Sequence, residues 1–267
     1  MITPLELVKR TAKSNCGECG YPTCLAFAAL VVKGVADVGR CPYLDATGLD
    51  LPRQAGISEA QLHQAQDLQL IEQLKGKIAP LDFAAIAPSL GVRWDAAAPD
   101  TLSFRYLGQD VSLAKSGILM DGREPEDPRD QILLYNYIHS GGSAPPTGDW
   151  VGLESLPNSI SKVRTLATYC ESRLADHCAN FPLTTIATAT EHLGGVRQPE
   201  AAASLGVIIP VLPRVPHSLL YWQAEPDDGF PARVKVLFDR QVLDYLDLES
   251  LVFSAERMAD ALMARLS

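Results

Sequence analysis

The sequence lacks the features that mark several broad classes of protein. No apolar run approaches the roughly eighteen residues of a membrane helix, and the N-terminus has no apolar signal core. Basic residues are not in excess, since the formal net charge is −9, which argues against nucleic acid as a main partner. We therefore expect a cytoplasmic protein with no membrane span and no nucleic-acid partner.

Familiar catalytic and cofactor motifs are missing as well. The chain has no G-x-G-x-x-G fingerprint, no G-x-x-x-x-G-K-[ST] loop and no G-x-S-x-G nucleophile elbow. It also lacks the Asp-x-His-x-x-Gly signature of proteins that bind cobalamin in the base-off form. The sequence therefore names no catalytic residue, and whether the protein is an enzyme stays open.

Charge and cysteine are distributed unevenly along the chain. The first 50 residues hold five basic and five acidic side chains, whereas the remainder holds 18 basic and 27 acidic ones. Four of the six cysteines also lie in those first 50 residues. The two compositions predict a small module over residues 1–45, a connector and helix over 46–79, and a domain over 80–267.

Hydrophobic periodicity predicts both helices and paired strands. The strands come as hairpins and do not alternate one by one with helices, which favours an α+β fold. We expect a small Cys-rich helical module followed by a larger mixed α+β domain with antiparallel hairpins. Helices are predicted over 4–12, 22–34, 58–77, 127–139, 161–178, 182–193 and 248–266, and strands over 101–106, 109–113, 206–211, 218–223 and 232–238.

Four cysteines carry the clearest chemical signal. Their spacing is C-x2-C-x4-C-x16-C, and a cubane iron–sulfur cluster needs four thiolates that converge from different directions. Three of them on a Gly-bearing loop would wrap one side, and a distant fourth would close the site. We expect Pro22 to open a helix whose N–H groups point at the anionic cluster. The four residues are Cys16, Cys19, Cys24 and Cys41.

Two other uses of these cysteines stay open. Structural zinc typically takes two short cysteine pairs on separate knuckles, which this spacing does not resemble. Disulfides would need an oxidising compartment, and nothing in the sequence indicates export.

The cysteine region also resembles a known module. Residues 15–24, Asn-Cys-Gly-Glu-Cys-Gly-Tyr-Pro-Thr-Cys, followed by Leu25-Ala-Phe-Ala, Gly34 and Cys41-Pro42, are similar to a small [4Fe-4S] module. That module begins the large subunit of the corrinoid iron–sulfur protein of the reductive acetyl-CoA pathway, and a similar one occurs in the B subunit of Rnf-type electron transport complexes. The resemblance covers about residues 5–43. It implies a [4Fe-4S] cofactor with Cys16, Cys19, Cys24 and Cys41 as its ligands.

The rest of the chain resembles a different group of proteins. It looks like a bacterial and archaeal family that joins the same module to a domain of unknown function. The similar stretches cover residues 219–233, 236–239 and 245–249. This resemblance supplies no activity for the larger domain.

Three functional hypotheses follow from the module. The first is an electron-transfer or redox-accessory protein, with a low-potential electron donor and a redox partner protein. The second is a redox enzyme, or a protein binding a corrinoid or other tetrapyrrole, of anaerobic one-carbon metabolism. The third is a sensor or structural iron–sulfur protein. An exposed cluster would favour the first over the third, and a pocket for a macrocycle would favour the second.

Weaker candidates have ordinary structural alternatives. Cys170 and Cys178 could form a metal or redox pair, but buried thiols are the simpler interpretation, and we do not expect them to be cluster ligands. His139 could be an axial ligand or a general acid, or a surface residue. Asp227 and Asp228 could bind a cation, or form a turn. The Gly- and Pro-rich loop over 140–148 could be a lid or a connector.

Overall fold

The computed structural model describes residues 2–49, 51 and 59–267. The chain divides into two units, Met1–Gln69 and Leu70–Ser267. Helices and antiparallel sheets make up the fold, with a small Cys-rich region at the N-terminus and a larger mixed domain after it. The predicted α+β fold class is therefore confirmed.

The smaller unit is built on two short helices, α1 (Pro4–Val8) and α2 (Cys24–Val32). A capping box begins α1, because Thr3 Oγ1 accepts from the Glu6 N–H and the Glu6 carboxylate accepts from the Thr3 N–H. The helix ends before the predicted residue 12, and the Thr11 hydroxyl donates to the Val8 carbonyl just beyond it. The core of this unit comprises Leu7, Cys19, Tyr21, Phe27, Ala28, Val31, Ala36 and Cys41.

A long helix, α3 (Glu59–Ile78), contains the boundary between the two units. Ile71, Leu74 and Ile78 are buried in the core of the larger unit. The predicted first residue of this helix, Ser58, lies outside the described residues.

A four-stranded antiparallel sheet opens the larger unit after helix α4 (Phe83–Leu90). The predicted hairpin is present, with Tyr106 paired to Gln109 across the turn at Leu107 and Gly108. The strands, in both chain order and spatial order, are β1 (Arg93–Trp94), β2 (Thr101–Tyr106), β3 (Gln109–Ala114) and β4 (Gly117–Met120).

A second antiparallel sheet has five strands in the order β5-β9-β8-β7-β6. Strands β8 and β9 pair as predicted, but a ten-residue connection with a short 3-10 helix at Pro226–Asp228 joins them, not a tight turn. Its strands are β5 (Trp150–Val151), β6 (Val196–Arg197), β7 (Leu205–Leu212), β8 (Val215–Trp222) and β9 (Arg233–Asp239).

Helices complete the core of the larger unit. The closing helix buries one apolar stripe, including Leu251, Ala255, Met258 and Leu262, against its neighbours. None of the helices in the described ranges is long and apolar enough to cross a membrane. These helices are α5 (Pro128–Ser140), α6 (Ile160–Leu166), α7 (Arg173–Cys178), α8 (Leu183–His192) and α9 (Leu248–Leu266).

The predicted helix over 161–178 is interrupted by a π-helical turn at Ala167–Ser172, between α6 and α7. The turn carries Glu171, whose carboxylate accepts a 3.0 Å hydrogen bond from the Val236 N–H on β9. Lys235 lies 3.5 Å from the same carboxylate. The segment over 161–178 contains no Gly or Pro that would mark an interruption, so the sequence did not reveal the π turn.

His217 on β8 is fully buried, and this gives a prediction about pH. Its Nε2 lies 2.8 Å from Ser254 Oγ, and its ring packs edge-on against Phe238. Burial lowers the pKa of His217 to about 4. An unfolded histidine titrates near pH 6.5, so below that pH the unfolded state binds a proton that the folded state excludes. The larger unit should therefore lose stability as the pH falls from about 6.5 towards 4.

The expected loss is roughly 2 to 3 kcal/mol between pH 7 and pH 4.5, from a shift of about two and a half pKa units. Urea unfolding of wild type and His217→Phe at both pH values would measure it. Tryptophan fluorescence is a suitable signal, because Trp94, Trp150 and Trp222 all lie in the larger unit. The variant should lose less stability on acidification. An identical pH dependence in both proteins would contradict the prediction.

Candidate metal centre

The four early cysteines line one cavity in the smaller unit. Cys16 is exposed and Cys24 is half-buried, whereas Cys19 and Cys41 are only 8% and 9% exposed. The cavity therefore has two covered thiols and one that faces solvent. Its wall also includes Thr11, Asn15, Tyr21, Phe27 and Tyr43.

A glycine-bearing loop brings the first two cysteines to the cavity. Gly17 and Gly20 have φ angles of +78° and +86°, which side chains with a Cβ rarely adopt. The Gly20 N–H donates to the Gly17 carbonyl over 2.8 Å, which closes a tight turn around Cys19. This turn is the local reason why Cys16 and Cys19 line the same cavity.

The third cysteine begins helix α2. Thr23 is the N-cap, with its hydroxyl accepting from the Ala26 N–H, so the prediction that Pro22 opens the helix is wrong by two residues. The Cys24 N–H donates to Asn15 Oδ1 over 2.8 Å. The N–H groups of Cys24 and Ala26 thus donate to Asn15 and Thr23 within the protein. For these two groups, the prediction that they point at a cluster is wrong.

Hydrogen bonds favour the thiolate form of Cys24. A hydrogen bond from the Asn15 backbone, and after it one from the Thr11 side chain, lowers the pKa of the Cys24 thiol. Burial acts in the opposite direction but is the smaller influence. Because metals bind the thiolate, this environment prepares Cys24 to act as a ligand.

The fourth cysteine follows a short 3-10 helix at Val38–Arg40, which Asp37 caps by accepting from the Gly39 N–H over 2.8 Å. Arg40 donates to the Tyr21 hydroxyl over 3.0 Å. Helix α2 and this turn together return Cys41 to the cavity.

Two aromatic residues around the cavity were missed by sequence reasoning. Tyr21 accepts from Arg40, 19 positions away, and Tyr43 donates to the carboxylate of Glu18, 25 positions away. No spacing rule links such pairs, because the loop conformation brings them together.

The donors surround the cavity and do not meet at one point. Among residues 2–49, 51 and 59–267, no three His, Cys, Asp or Glu side chains are placed to hold a single metal ion. That the four cysteines are the ligands of one centre stays a prediction.

Comparison with protein families covers both units. Residues 82–261 match the family model described as "Domain of unknown function (DUF3786)", and this range is more than half of the chain. The chain belongs to the DUF3786 family.

A second family model, described as "Putative Fe-S cluster", matches residues 12–43 of this DUF3786 protein. That range contains all four cysteines of the cavity. The N-terminal part of the chain therefore carries an iron–sulfur domain, ahead of its DUF3786 domain.

Curated relatives are similar over a short segment only. The corrinoid/iron-sulfur protein large subunit of Moorella thermoacetica is 54% identical over 43 residues, which are 16% of this chain and 10% of the relative. Acetyl-CoA decarbonylase/synthase complex subunit gamma of Methanocaldococcus jannaschii is 39% identical over 44 residues, and subunit gamma 1 of Methanosarcina thermophila is 45% identical over 42. Each covers 16% of this chain and 9% of the relative. The match spans about a tenth of the length of these relatives, and no solved structure matches significantly.

The two later cysteines lie in the core of the DUF3786 domain. Cys170 is on the π turn and its thiol donates to the Ala255 carbonyl over 3.3 Å. Burial raises the pKa of the Cys178 thiol to about 11 and that of Cys170 further. Both are therefore protonated at neutral pH, as expected for buried thiols that pack as small apolar groups.

Other candidates of the DUF3786 domain lie on its surface. His139 is exposed in the last turn of α5. Asp227 and Asp228 are exposed in the connection between β8 and β9. No group of described donors includes any of the three in an ion-sized site.

The loop over 140–148 of the DUF3786 domain is a tethered connector. Asp239 accepts from the Thr147 hydroxyl and from the Gly148 N–H, at 3.1 and 2.6 Å. Tyr245 donates to the Ala144 carbonyl. These bonds hold the loop at several points along its length, which favours the connector over the lid.

Proposed function

We propose that the protein is an iron–sulfur electron-transfer or redox-accessory protein with one low-potential [4Fe-4S] cluster on Cys16, Cys19, Cys24 and Cys41. The observation that carries the proposal is the single cavity lined by all four cysteines of the iron–sulfur domain. We place the module at residues 1–45, the connector and helix at 46–79, and the larger domain at 80–267.

The donor set fits such a cluster. Four thiols are the ligands that a [4Fe-4S] centre takes, each on a different iron. All four cysteines line the same cavity, as such a division requires. The lowered pKa of Cys24 also favours the ligating form.

The chain's own residues would hold the centre and control access to it. When bound, the cluster supplies one-electron chemistry, and ligation by thiolates without histidine suits a low potential. Cys19 and Cys41 are covered, and Phe27 and Tyr21 shield that side from water. Cys16 is exposed, which leaves that part of the cavity open to a redox partner.

Protein partners are supported by the relatives. Their names describe subunits of larger proteins or complexes, and the similarity falls on a segment of about the size of the iron–sulfur domain. We therefore propose a low-potential electron donor and a redox partner protein. The match to the Moorella relative covers only 16% of this chain, so it gives no support for corrinoid binding by this protein.

A reversible one-electron reduction would test the electron-transfer role. We expect dithionite to reduce the anaerobically prepared protein and to give an electron paramagnetic resonance signal that disappears on reoxidation. Repeated cycles should leave the iron content unchanged. A cluster that dithionite cannot reduce, or that breaks down on reduction, would contradict electron transfer and favour the sensor or structural hypothesis.

A further inference from the structure

A large cleft lies in the unit Leu70–Ser267, apart from the cysteines. Its volume is about 710 Å³, within the range of pockets that hold small molecules. One wall is the outer face of the sheet β1–β4, and the other is the turn from α8 to β6 with part of β7. We call it the anion cleft, and its wall includes Arg93, Ser103, Arg105, His192, Pro210 and Pro213.

Two arginines are brought to the same wall by strand register. Arg93 on β1 pairs with Ser103 on β2, and Arg105 lies two residues further along β2. Because paired residues and every second residue share a face, these three side chains lie on one side of the sheet. The register therefore places two guanidinium groups at the cleft, with Asp110 opposite Arg105 on β3.

The first of these arginines has no counter-charge. The Arg93 side chain makes no hydrogen bond or ion pair with any residue that the structure describes, and it is exposed. Arg105, in contrast, lies 3.5 Å from Asp110 and donates to the Gly108 carbonyl. Glu191, the other carboxylate of the wall, lies 3.5 Å from Arg197. Both acidic side chains of the cleft thus have cationic partners, while Arg93 is available.

A third arginine lies directly behind the wall. Gly91 lines the cleft, and a Cβ at this position would lie 2.8 Å from Arg214 Nε. That nitrogen is buried and has no hydrogen-bond partner among the described residues. The Arg214 charge therefore raises the electrostatic potential at the cleft without an adjacent carboxylate to cancel it.

We propose that the anion cleft binds a small organic anion whose phosphate or carboxylate group pairs with Arg93. A guanidinium binds either oxyanion through two parallel hydrogen bonds. Pro210 and Pro213 offer the apolar part of such a ligand a surface to contact. The proposal goes beyond the iron–sulfur function and stands independently of it, because every residue invoked lies in the larger unit.

Calorimetric titration of the full chain tests the proposal with three probes: phenyl phosphate, benzoate and benzyl alcohol. We expect at least one of the two anions to bind and the neutral alcohol not to bind at comparable concentrations. The stronger of the two anions identifies the oxyanion that the cleft prefers. Arg93→Ala should weaken binding of that anion about tenfold or more, since hydrogen bonds to charged groups are strong.

The control is Arg265→Ala, which removes an exposed arginine from the last turn of α9, outside the cleft wall. It should bind the anion like wild type. A second variant, Ser103→Tyr, should weaken binding by occupying the cleft without a change of charge, and tryptophan fluorescence verifies that each variant is folded. Absence of binding by both anions up to about 10 mM, or equal affinity in wild type and Arg93→Ala, would overturn the proposal.

Discussion

Replacement of Cys19 by alanine should reduce the iron content of anaerobically prepared protein from about four atoms per chain to nearly none. Cys19 is the most buried of the four cysteines and sits in the tight turn between Gly17 and Gly20. Its loss would leave one iron without a thiolate on the covered side of the cavity. Iron and acid-labile sulfide assays, with an optical spectrum, measure the effect.

The matched control is Cys178→Ala. It also removes a buried cysteine, but one in the core of the larger unit, so iron and sulfide should stay near four of each per chain. A clear loss of iron in this variant would contradict the assignment of ligands. One tightly bound zinc and no iron in the wild-type protein would refute the cluster itself.

Removal of the Asp130 carboxylate should lower the free energy of unfolding of the larger unit by about 2 kcal/mol, because Tyr106 and Arg257 lose a buried hydrogen-bond acceptor. Arg257 keeps ion pairs with Asp127 and Asp260, so its charge stays partly compensated. Asp130 is 7% exposed and accepts from the Arg257 guanidinium through two hydrogen bonds of 2.8 and 2.7 Å. The Tyr106 hydroxyl donates to the same carboxylate over 2.7 Å. Burial, together with the Asp130 charge, raises the pKa of Tyr106 well above its usual value, so it remains a donor.

Urea unfolding of Asp130→Ala, followed by tryptophan fluorescence, would measure this change. Glu126→Ala is the control, because Glu126 is exposed on the same surface and makes no ion pair with the described residues. The Glu126→Ala substitution should change the free energy of unfolding by no more than about 0.5 kcal/mol. A destabilisation of less than about 1 kcal/mol in Asp130→Ala would show that the network contributes little.

Where the sequence carried a strong local pattern, it predicted the element well. The hairpin of β2 and β3 was predicted with an error of one residue, because alternation and the Leu107-Gly108 turn agree. Helix α9 was also predicted, since its apolar stripe continues over nineteen residues.

Short or irregular elements carried too little pattern to be found. Strands β1, β5 and β6 have two residues each, so no alternation can be seen in them. Helix α4 contains Pro88 close to its end, a residue that normally argues against a helix. These elements are stabilised by contacts with segments distant in the sequence, and the periodicity of a single sequence does not show such contacts.

At the candidate metal centre, too, the local sequence pattern was predictable and the contacts made by the folded loop were not. Cysteine spacing was enough to select the four thiols that line one cavity. It could not indicate that Asn15 would accept a hydrogen bond from the Cys24 N–H, or that Thr23 would cap a helix beginning at Cys24 and not at Pro22. Both outcomes depend on the path of the loop. The anion cleft was missed for a related reason, since Arg93 and Arg105 share a wall only through strand register.

The π turn at Ala167–Ser172 has a consequence for the behaviour of the protein at high concentration. Strand β5 pairs only with Phe238 and Asp239, so the rest of β9 has no neighbouring strand on that side among the described residues. Such an edge is a template on which the strand of another molecule can add and begin aggregation. The Glu171 carboxylate accepts the hydrogen bond of the Val236 N–H on this edge, and the charged Lys235 side chain lies beside that carboxylate. The π turn thus supplies the side chain that fills one hydrogen-bonding position of this edge, and a strand from another molecule would have to displace it to pair there.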